Sequence, residues 1–201
     1  MLKRLLIIIV LLISCTTHAA PTIVVLGDSL SASYGIDHND GWVALLAQRL
    51  KKTNKTFQVI NASISGETSA GGLQRINDII KQHRPSILII ELGANDGLRG
   101  LPLKQLHSNL TQIIQHSQNN NISILLIGMR LPNNYGAGYS DRFSAVFQKL
   151  AEQNKLPLVP FLLAGLENNR AMFQKDGLHP IAAAQPVILN NVWPQLKLLL
   201  D

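Results

Sequence analysis

The sequence predicts an α/β domain, a five-stranded parallel sheet covered by helices on both faces in three α/β/α layers. Two patterns predict it. Short apolar runs recur without polar alternation, as strands buried on both faces require. Between them lie segments whose apolar residues repeat at helical spacing, and this alternation marks parallel strands joined by helical crossovers. Size and composition agree. The chain has 201 residues, 46% hydrophobic and 15% charged. That is enough apolar material for one continuous core, and it excludes a disordered, collagen-like or long coiled-coil protein.

In chain order, residues 22–26 (TIVVL) form the first strand, ended by Gly27. Residues 42–50 carry helical periodicity, 57–60 are a second strand and 73–80 a second helix, which Pro85 stops. The third strand is 86–92 (SILIIEL). Residues 103–116 place Leu103, Leu106, Leu110, Ile113 and Ile114 on one helical face. Three asparagines, 119–121, break the chain before the fourth strand at 122–127. Residues 143–150 read as a helix, 158–159 as a short fifth strand, and 181–200 as mostly helix despite Pro186 and Pro194. There is no internal repeat or interdomain linker.

Residues 1–19 stand apart from this pattern. A basic head (Lys3, Arg4) precedes an apolar run at 5–13 and a small, polar stretch ending Thr17-His18-Ala19. This is the layout of a secretory signal, and the run is shorter than the roughly 20 residues a bilayer span needs. Two cleavage readings stay open. Thr17-His18-Ala19 suits ordinary release, whereas Leu12-Ile13-Ser14-Cys15 resembles the lipobox of a bacterial lipoprotein, which would anchor the chain through Cys15. Either way the chain is expected to be exported, to the periplasm, with a membrane-anchored lipoprotein or a secreted protein as the alternatives, and with residues 20–201 as a single domain. Cys15 is the one cysteine, so the folded part has no thiol nucleophile, disulfide or Cys-based zinc module. Losing Lys3 and Arg4 takes the net charge from +6 to +4. With the remaining charges scattered, nucleic acid is not an expected partner.

In parallel sheets ligands bind beyond the carboxyl ends of the strands, so the residues just after each strand are the informative ones. After the first strand comes Gly27-Asp28-Ser29-Leu30, where Ser29 could present its hydroxyl above the sheet edge. Taken singly, Asp28 or Ser29 reads as a helix cap. After the second comes Asn61-Ala62-Ser63-Ile64-Ser65-Gly66-Glu67, in which Gly66 could offer its N–H to a ligand or be a mere turn residue. After the third comes Gly93-Ala94-Asn95-Asp96, where Asn95 could aim its amide at an anion or simply form a turn. Near the C-terminus, Asp176-Gly177-Leu178-His179-Pro180 sets a carboxylate three residues before an imidazole, close enough to hold it in the tautomer a general base needs.

In this order the four blocks resemble the SGNH, or GDSL, hydrolase family, named for such Ser, Gly, Asn and His residues. The likeness is greatest to its multifunctional thioesterase, lysophospholipase and arylesterase members, and runs from about Thr22 to the C-terminal helix. It includes the segments NASISGE, ELGANDGLRGLP and RLPNNYG. The resemblance implies a flavodoxin-like sheet and a serine hydrolase of esters and thioesters. Ser29 would be the nucleophile, His179 the base and Asp176 its orienter. Ser29 N–H, Gly66 N–H and the Asn95 amide would form the oxyanion hole. It also implies an acyl groove walled by Leu98, Leu101 and Pro102 on one side and Leu131, Pro132 and Tyr135 on the other. No metal cluster, P-loop or dinucleotide motif is present in the sequence, so no cofactor is expected. The expected partner is a small acyl ester or thioester, with membrane contact only through Cys15 or a lipid substrate, and the chain is expected to act as a monomer. The alternatives are a carbohydrate O-acetylesterase acting on envelope sugars and a non-catalytic envelope binding module.

Overall fold

A computed structural model describes residues 20–53 and 55–200. Residues 1–19, with the expected secretory signal and Cys15, lie outside the described residues. Five strands, β1 (Thr22–Gly27), β2 (Gln58–Asn61), β3 (Ile87–Glu91), β4 (Ser123–Ile127) and β5 (Leu158–Val159), form one all-parallel sheet in the order β2-β1-β3-β4-β5. Helices α1 (Trp42–Lys52) and α6 (Gln185–Lys197) pack together, as do α2 (Ser69–His83), α4 (Leu103–Gln118) and α5 (Ala137–Asn154). A short helix, α3 (Ala94–Leu98), directly follows the loop after β3.

The central strands explain the apolar runs. Every residue of β1 and β3 is buried, so both faces of these strands need side chains that lose nothing by leaving water. Truncating such a residue, Ile89→Ala for example, would cost about 2–5 kcal/mol. Local chemistry sets the helix ends. Thr68 caps α2 by accepting the Gly71 N–H. Arg84 ends that helix in the left-handed conformation (φ 42°) just before Pro85, which disfavours further helix. At α1, Arg49, Lys51 and Lys52 in the last turn meet the negative end of the helix dipole. The buried Gln185 Oε1 accepts the Trp42 N–H at 3.0 Å and ties the start of α6 to the start of α1.

The expected strands all form within two residues of their expected limits. Helices α1, α2, α4 and α5 are longer than expected, whereas α6 is shorter than the 181–200 stretch read as mostly helix. Helix α2 begins at Ser69 and α5 at Ala137, four and six residues before the first residue read as helical. Their opening turns hold Gly and polar residues that carry no apolar period. Helix α3 replaces what read as a plain loop.

The strand order reverses between β1 and β3: the chain steps outward to β2, then crosses back over β1 to β3. Such a switch point opens a crevice at the carboxyl edge of the sheet. Ser29 follows one of these two strands and Asn95 follows the other.

Candidate active site

Beyond β1 the chain turns sharply at Asp28. Its carbonyl accepts the N–H groups of Ser31 (3.2 Å) and Ala32 (2.9 Å), and its side-chain Oδ1 accepts the Leu30 N–H at 3.0 Å. Ser29, half-buried, is thereby presented at the crevice. Gly27 is not in a left-handed conformation. Its lack of a side chain has another reason: a Cβ there would lie 2.7 Å from Glu91 Oε2 and 2.8 Å from Ser31 Oγ. Glu91, fully buried at the end of β3, accepts the Asp28 N–H (3.2 Å) and the Ser31 hydroxyl (2.7 Å) through that same Oε2.

His179 arrives from the far end of the chain. Gln174 N–H donates to the His179 carbonyl at 2.8 Å, and Phe173 and Pro180 form an antiparallel bridge, so residues 173–180 make a closed loop. Asp176 organises it. Its Oδ1 accepts the N–H groups of Leu178 (2.9 Å) and His179 (3.0 Å), and its Oδ2 lies 2.7 Å from His179 Nδ1. The opposite ring nitrogen, Nε2, lies 3.0 Å from Ser29 Oγ. With Nδ1–H facing a carboxylate, Nε2 keeps its lone pair and accepts the serine hydroxyl. Partial burial pulls the Asp176 carboxyl upward, but the backbone N–H groups of His179 and Leu178 and the imidazole outweigh it and hold it at about 2. Tyr34 packs its ring 4.5 Å from that of His179, centroid to centroid, and Gln174 Nε2 donates to the Tyr34 carbonyl at 2.8 Å, joining the histidine loop to the serine loop.

Asn95 stands on the first turn of α3. Its Nδ2 donates to Asp28 Oδ2 at 3.0 Å. The next residue anchors the helix: buried Asp96 accepts the Ser69 N–H (2.8 Å) and the Ser69 hydroxyl, and Asn109 Nδ2 donates to that hydroxyl at 2.9 Å. Gly66 (φ 80°) uses the left-handed conformation that glycine tolerates best. Its carbonyl accepts from Arg99 at 2.8 Å, and Ile64 N–H donates to the Gly27 carbonyl at 3.0 Å, fastening this loop to the end of β1.

A cleft of about 620 Å³ opens on Ser29, Asn95 and His179. Leu98, Leu131 and Pro132 line it as expected. Leu101, Pro102 and Tyr135 do not, and Gly66 and Asp176 are outside its lining too. Tyr135 instead donates its hydroxyl to the Leu98 carbonyl at 2.9 Å, and Tyr139 donates to that of Leu101 at 3.2 Å. These tyrosines buttress the wall from outside. Further apolar lining comes from Met129, Phe161, Leu163 and Phe173, with Arg130, Glu167 and Arg170 among the charged members. Sequence reasoning missed these because most lie on loops after β4 and β5 outside the motifs, and Arg130, the first residue of RLPNNYG, was not read as part of the wall. It also missed Glu91, for which a signal existed, a lone carboxylate inside an otherwise apolar strand.

The arrangement suits acyl transfer: a hydroxyl touching a neutral imidazole nitrogen, the other nitrogen held by a carboxylate, and an amide donor beside them at the mouth of an apolar cleft. The profile of the GDSL-like lipase/acylhydrolase family matches residues 25–185. The chain belongs to this family. It is 49% identical over 182 residues to the esterase TesA of Pseudomonas aeruginosa, 90% of each chain. It is 42% identical over 190 residues to the thioesterase 1/protease 1/lysophospholipase L1 of Escherichia coli, covering 94% of this chain and 90% of that one. The crystal structure of TesA matches with a TM-score of 0.87 at 49% identity, over 89% of this chain and 99% of that one. The psychrotrophic esterase EstA of Pseudoalteromonas, in a structure inhibited by monoethylphosphonate, matches with 0.84 at 40% identity, over 88% and 96%. This GDSL acylhydrolase is thus an enzyme of the esterase/thioesterase group on the α/β SGNH hydrolase fold. No helix among its described residues is long and apolar enough to cross a membrane.

Proposed function

We propose that this chain hydrolyses carboxylic esters and thioesters of small or single-chain acyl groups through an acyl-enzyme on Ser29. One observation carries the reading: the 3.0 Å contact of Ser29 Oγ with His179 Nε2, in line with the 2.7 Å contact of Nδ1 with Asp176. Ser29 Oγ attacks the acyl carbon while His179 Nε2 takes its proton. The tetrahedral oxyanion is received by the N–H groups of Ser29 and Gly66 and by the Asn95 amide. Its collapse breaks the bond to the alcohol or thiol, which leaves with the proton from His179. Water, deprotonated by the same nitrogen, then attacks the acyl-enzyme and releases the acid. Asp176 holds the ring and stabilises the imidazolium.

The leucines, phenylalanines and methionine of the cleft support an acyl chain as the bound group, each buried CH₂ contributing about 0.8 kcal/mol. Glu167 and the two arginines support a solvent-facing mouth where a polar leaving group departs. We extend the reading to the whole chain: residues 1–19 direct export to the periplasm, and residues 20–201 act there as a monomeric domain.

Graded p-nitrophenyl esters and acyl-CoAs, given to wild type and Ser29→Ala, test the proposal. Turnover of medium-length acyl groups that vanishes in Ser29→Ala is the expected result. Activity confined to acetate would favour a sugar O-acetylesterase, and no turnover of any substrate would leave a binding module.

A further inference from the structure

Two carboxyls lie fully buried beneath the nucleophile turn, and the mechanism above uses neither. The charged or titratable groups acting on Asp28 are Glu91 at the end of β3, Asp96 on α3 and His179 from the loop after β5, and among the described residues no fixed cation compensates it. Glu91 is worse placed. Both of its hydrogen bonds fall on Oε2, and Oε1 has no partner among the described residues. A buried group left in this state asks for a reason.

The reason lies in the Asn95 amide. Its two ends are nearly identical in shape, and only hydrogen-bond partners decide which end faces where. A carboxylate can only accept. With Asp28 ionised, the end of the amide 3.0 Å from Oδ2 must be Nδ2, and the second hydrogen of that NH₂ remains for the substrate oxyanion. With Asp28 protonated at Oδ2, its O–H would instead suit Asn95 Oδ1. The amide could then turn over and set an acceptor where negative charge develops.

We propose that Asp28 is a positioning residue for the reaction: its carboxylate fixes the donor orientation of Asn95, and Glu91 beneath it stays neutral so that the pair's single charge rests on Asp28. The inference rests on the esterase reading above and on Asn95 as an oxyanion donor. The electrostatics agree with the geometry. Burial, reinforced by the charge of Asp28, pushes Glu91 well above the usual carboxylate range. Burial also lifts Asp28, but the Leu30 N–H, the Asn95 amide and His179 restrain it to about 6. Asp28 is therefore ionised at neutral pH and protonated as pH falls below that value.

A double-mutant cycle tests it. In Asp28→Asn the new amide keeps the Leu30 N–H through its oxygen and turns its NH₂ toward Asn95, which rotates to accept it. The expected loss in kcat is about 10²–10³, that of one oxyanion donor, with KM within about threefold. Asn95→Ala alone should lose the same. The pair together should lose no more than either single variant, because both remove one donor. Glu91→Gln should keep kcat within about threefold, since an NH₂ replaces a hydroxyl that already lacked a partner. A merely structural Asp28 would give losses that multiply in the double variant, and that result overturns the proposal, as does wild-type kcat in Asp28→Asn or a hundredfold loss in Glu91→Gln. The pH profile gives an independent readout. As pH falls through about 6, log kcat/KM should drop more steeply in wild type than in Asp28→Asn; equal slopes overturn it. Wild-type kcat in Asn95→Ala would remove both the donor role and this inference while leaving the esterase intact, whereas full activity in Ser29→Ala would remove the esterase reading itself.

Discussion

Asp176 meets the His179 ring and Asp28 meets the Asn95 amide, in opposite surroundings. Asp176 stands at the surface, its side chain 39% exposed, with backbone N–H groups and an imidazole directed at it. Its charge is held firmly, to about pH 2. Asp28 is fully buried, over a second buried carboxyl, and gives up its charge near pH 6. One carboxylate is made by hydrogen bonds and the other is tolerated in spite of burial. In the proposed reaction the open one orients the base, and the closed one fixes which end of an amide faces the substrate. How a carboxylate serves a site thus depends less on its distance from the nucleophile than on what else can reach it.

Asp176 contacts the His179 ring and Asp28 contacts the Asn95 amide, so removing the ring should separate them. His179→Ala should lower kcat by about 10⁵–10⁶. Adding Asp176→Asn should then change nothing further, whereas adding Asp28→Asn should still lower the residual rate, which an oxyanion donor supports. With His179 intact, Asp176→Asn should cost about 10²–10³ in kcat, below the ~10⁴ of a buried triad aspartate, because solvent screens an exposed carboxylate. A loss as large as that of His179→Ala would show that the open carboxylate does more than orient.

A smaller effect separates the two through stability. Asp28 has a folded pKa above its unfolded value, so between about pH 4 and 6 the native state holds a proton that the unfolded chain lacks. Acidification through that window therefore stabilises the fold while it silences the site. The full effect of Asp28 is on the order of 2–3 kcal/mol. Asp176 works the other way: its contribution is present above its unfolded value and lost only as pH falls toward about 2. Urea midpoints at pH 7 and 5 should rise on acidification in wild type and rise less in Asp28→Asn. A fall in wild type would contradict the assignment of Asp28.

The motifs carry most of the site but not its logic. Ser29, Gly66 and Asn95 were legible because each follows a strand whose apolar run ends abruptly, and a parallel sheet places such ends along one edge; His179 was legible from the carboxylate three residues before it. Asp28 was visible as a residue, yet its amide-orienting contact depends on where a five-residue helix, α3, sets Asn95. A helix that short shows no period. Glu91 was read as one more strand residue, although a charge at the close of SILIIE already signalled a special neighbour. The groove was read less well. Tyr135, Leu101 and Pro102 sit in motif segments but outside the lining, whereas Phe161 and Leu163 line it from a loop held by Asn191 of α6, whose Nδ2 donates to the Leu162 and Ala164 carbonyls. Tertiary context decides such positions.

The smallest expected effect tests that wall. Leu98→Ala should raise KM for octanoyl esters about fivefold, through roughly 1 kcal/mol of lost apolar contact, and leave acetyl esters unchanged. Both aspartate variants should affect the two chain lengths equally. A loss in Leu98→Ala shared by acetate would assign Leu98 to the reacting centre and blur the boundary between orienting groups and wall.

The central proposal is that Ser29 Oγ becomes acylated. Incubation with an alkyl fluorophosphonate, followed by intact and peptide mass spectrometry, tests it most directly. The expected result is one adduct, on Ser29, absent in Ser29→Ala and strongly slowed in His179→Ala. Full labelling of Ser29→Ala, or hydrolysis that persists after Ser29 is fully modified, would contradict the account.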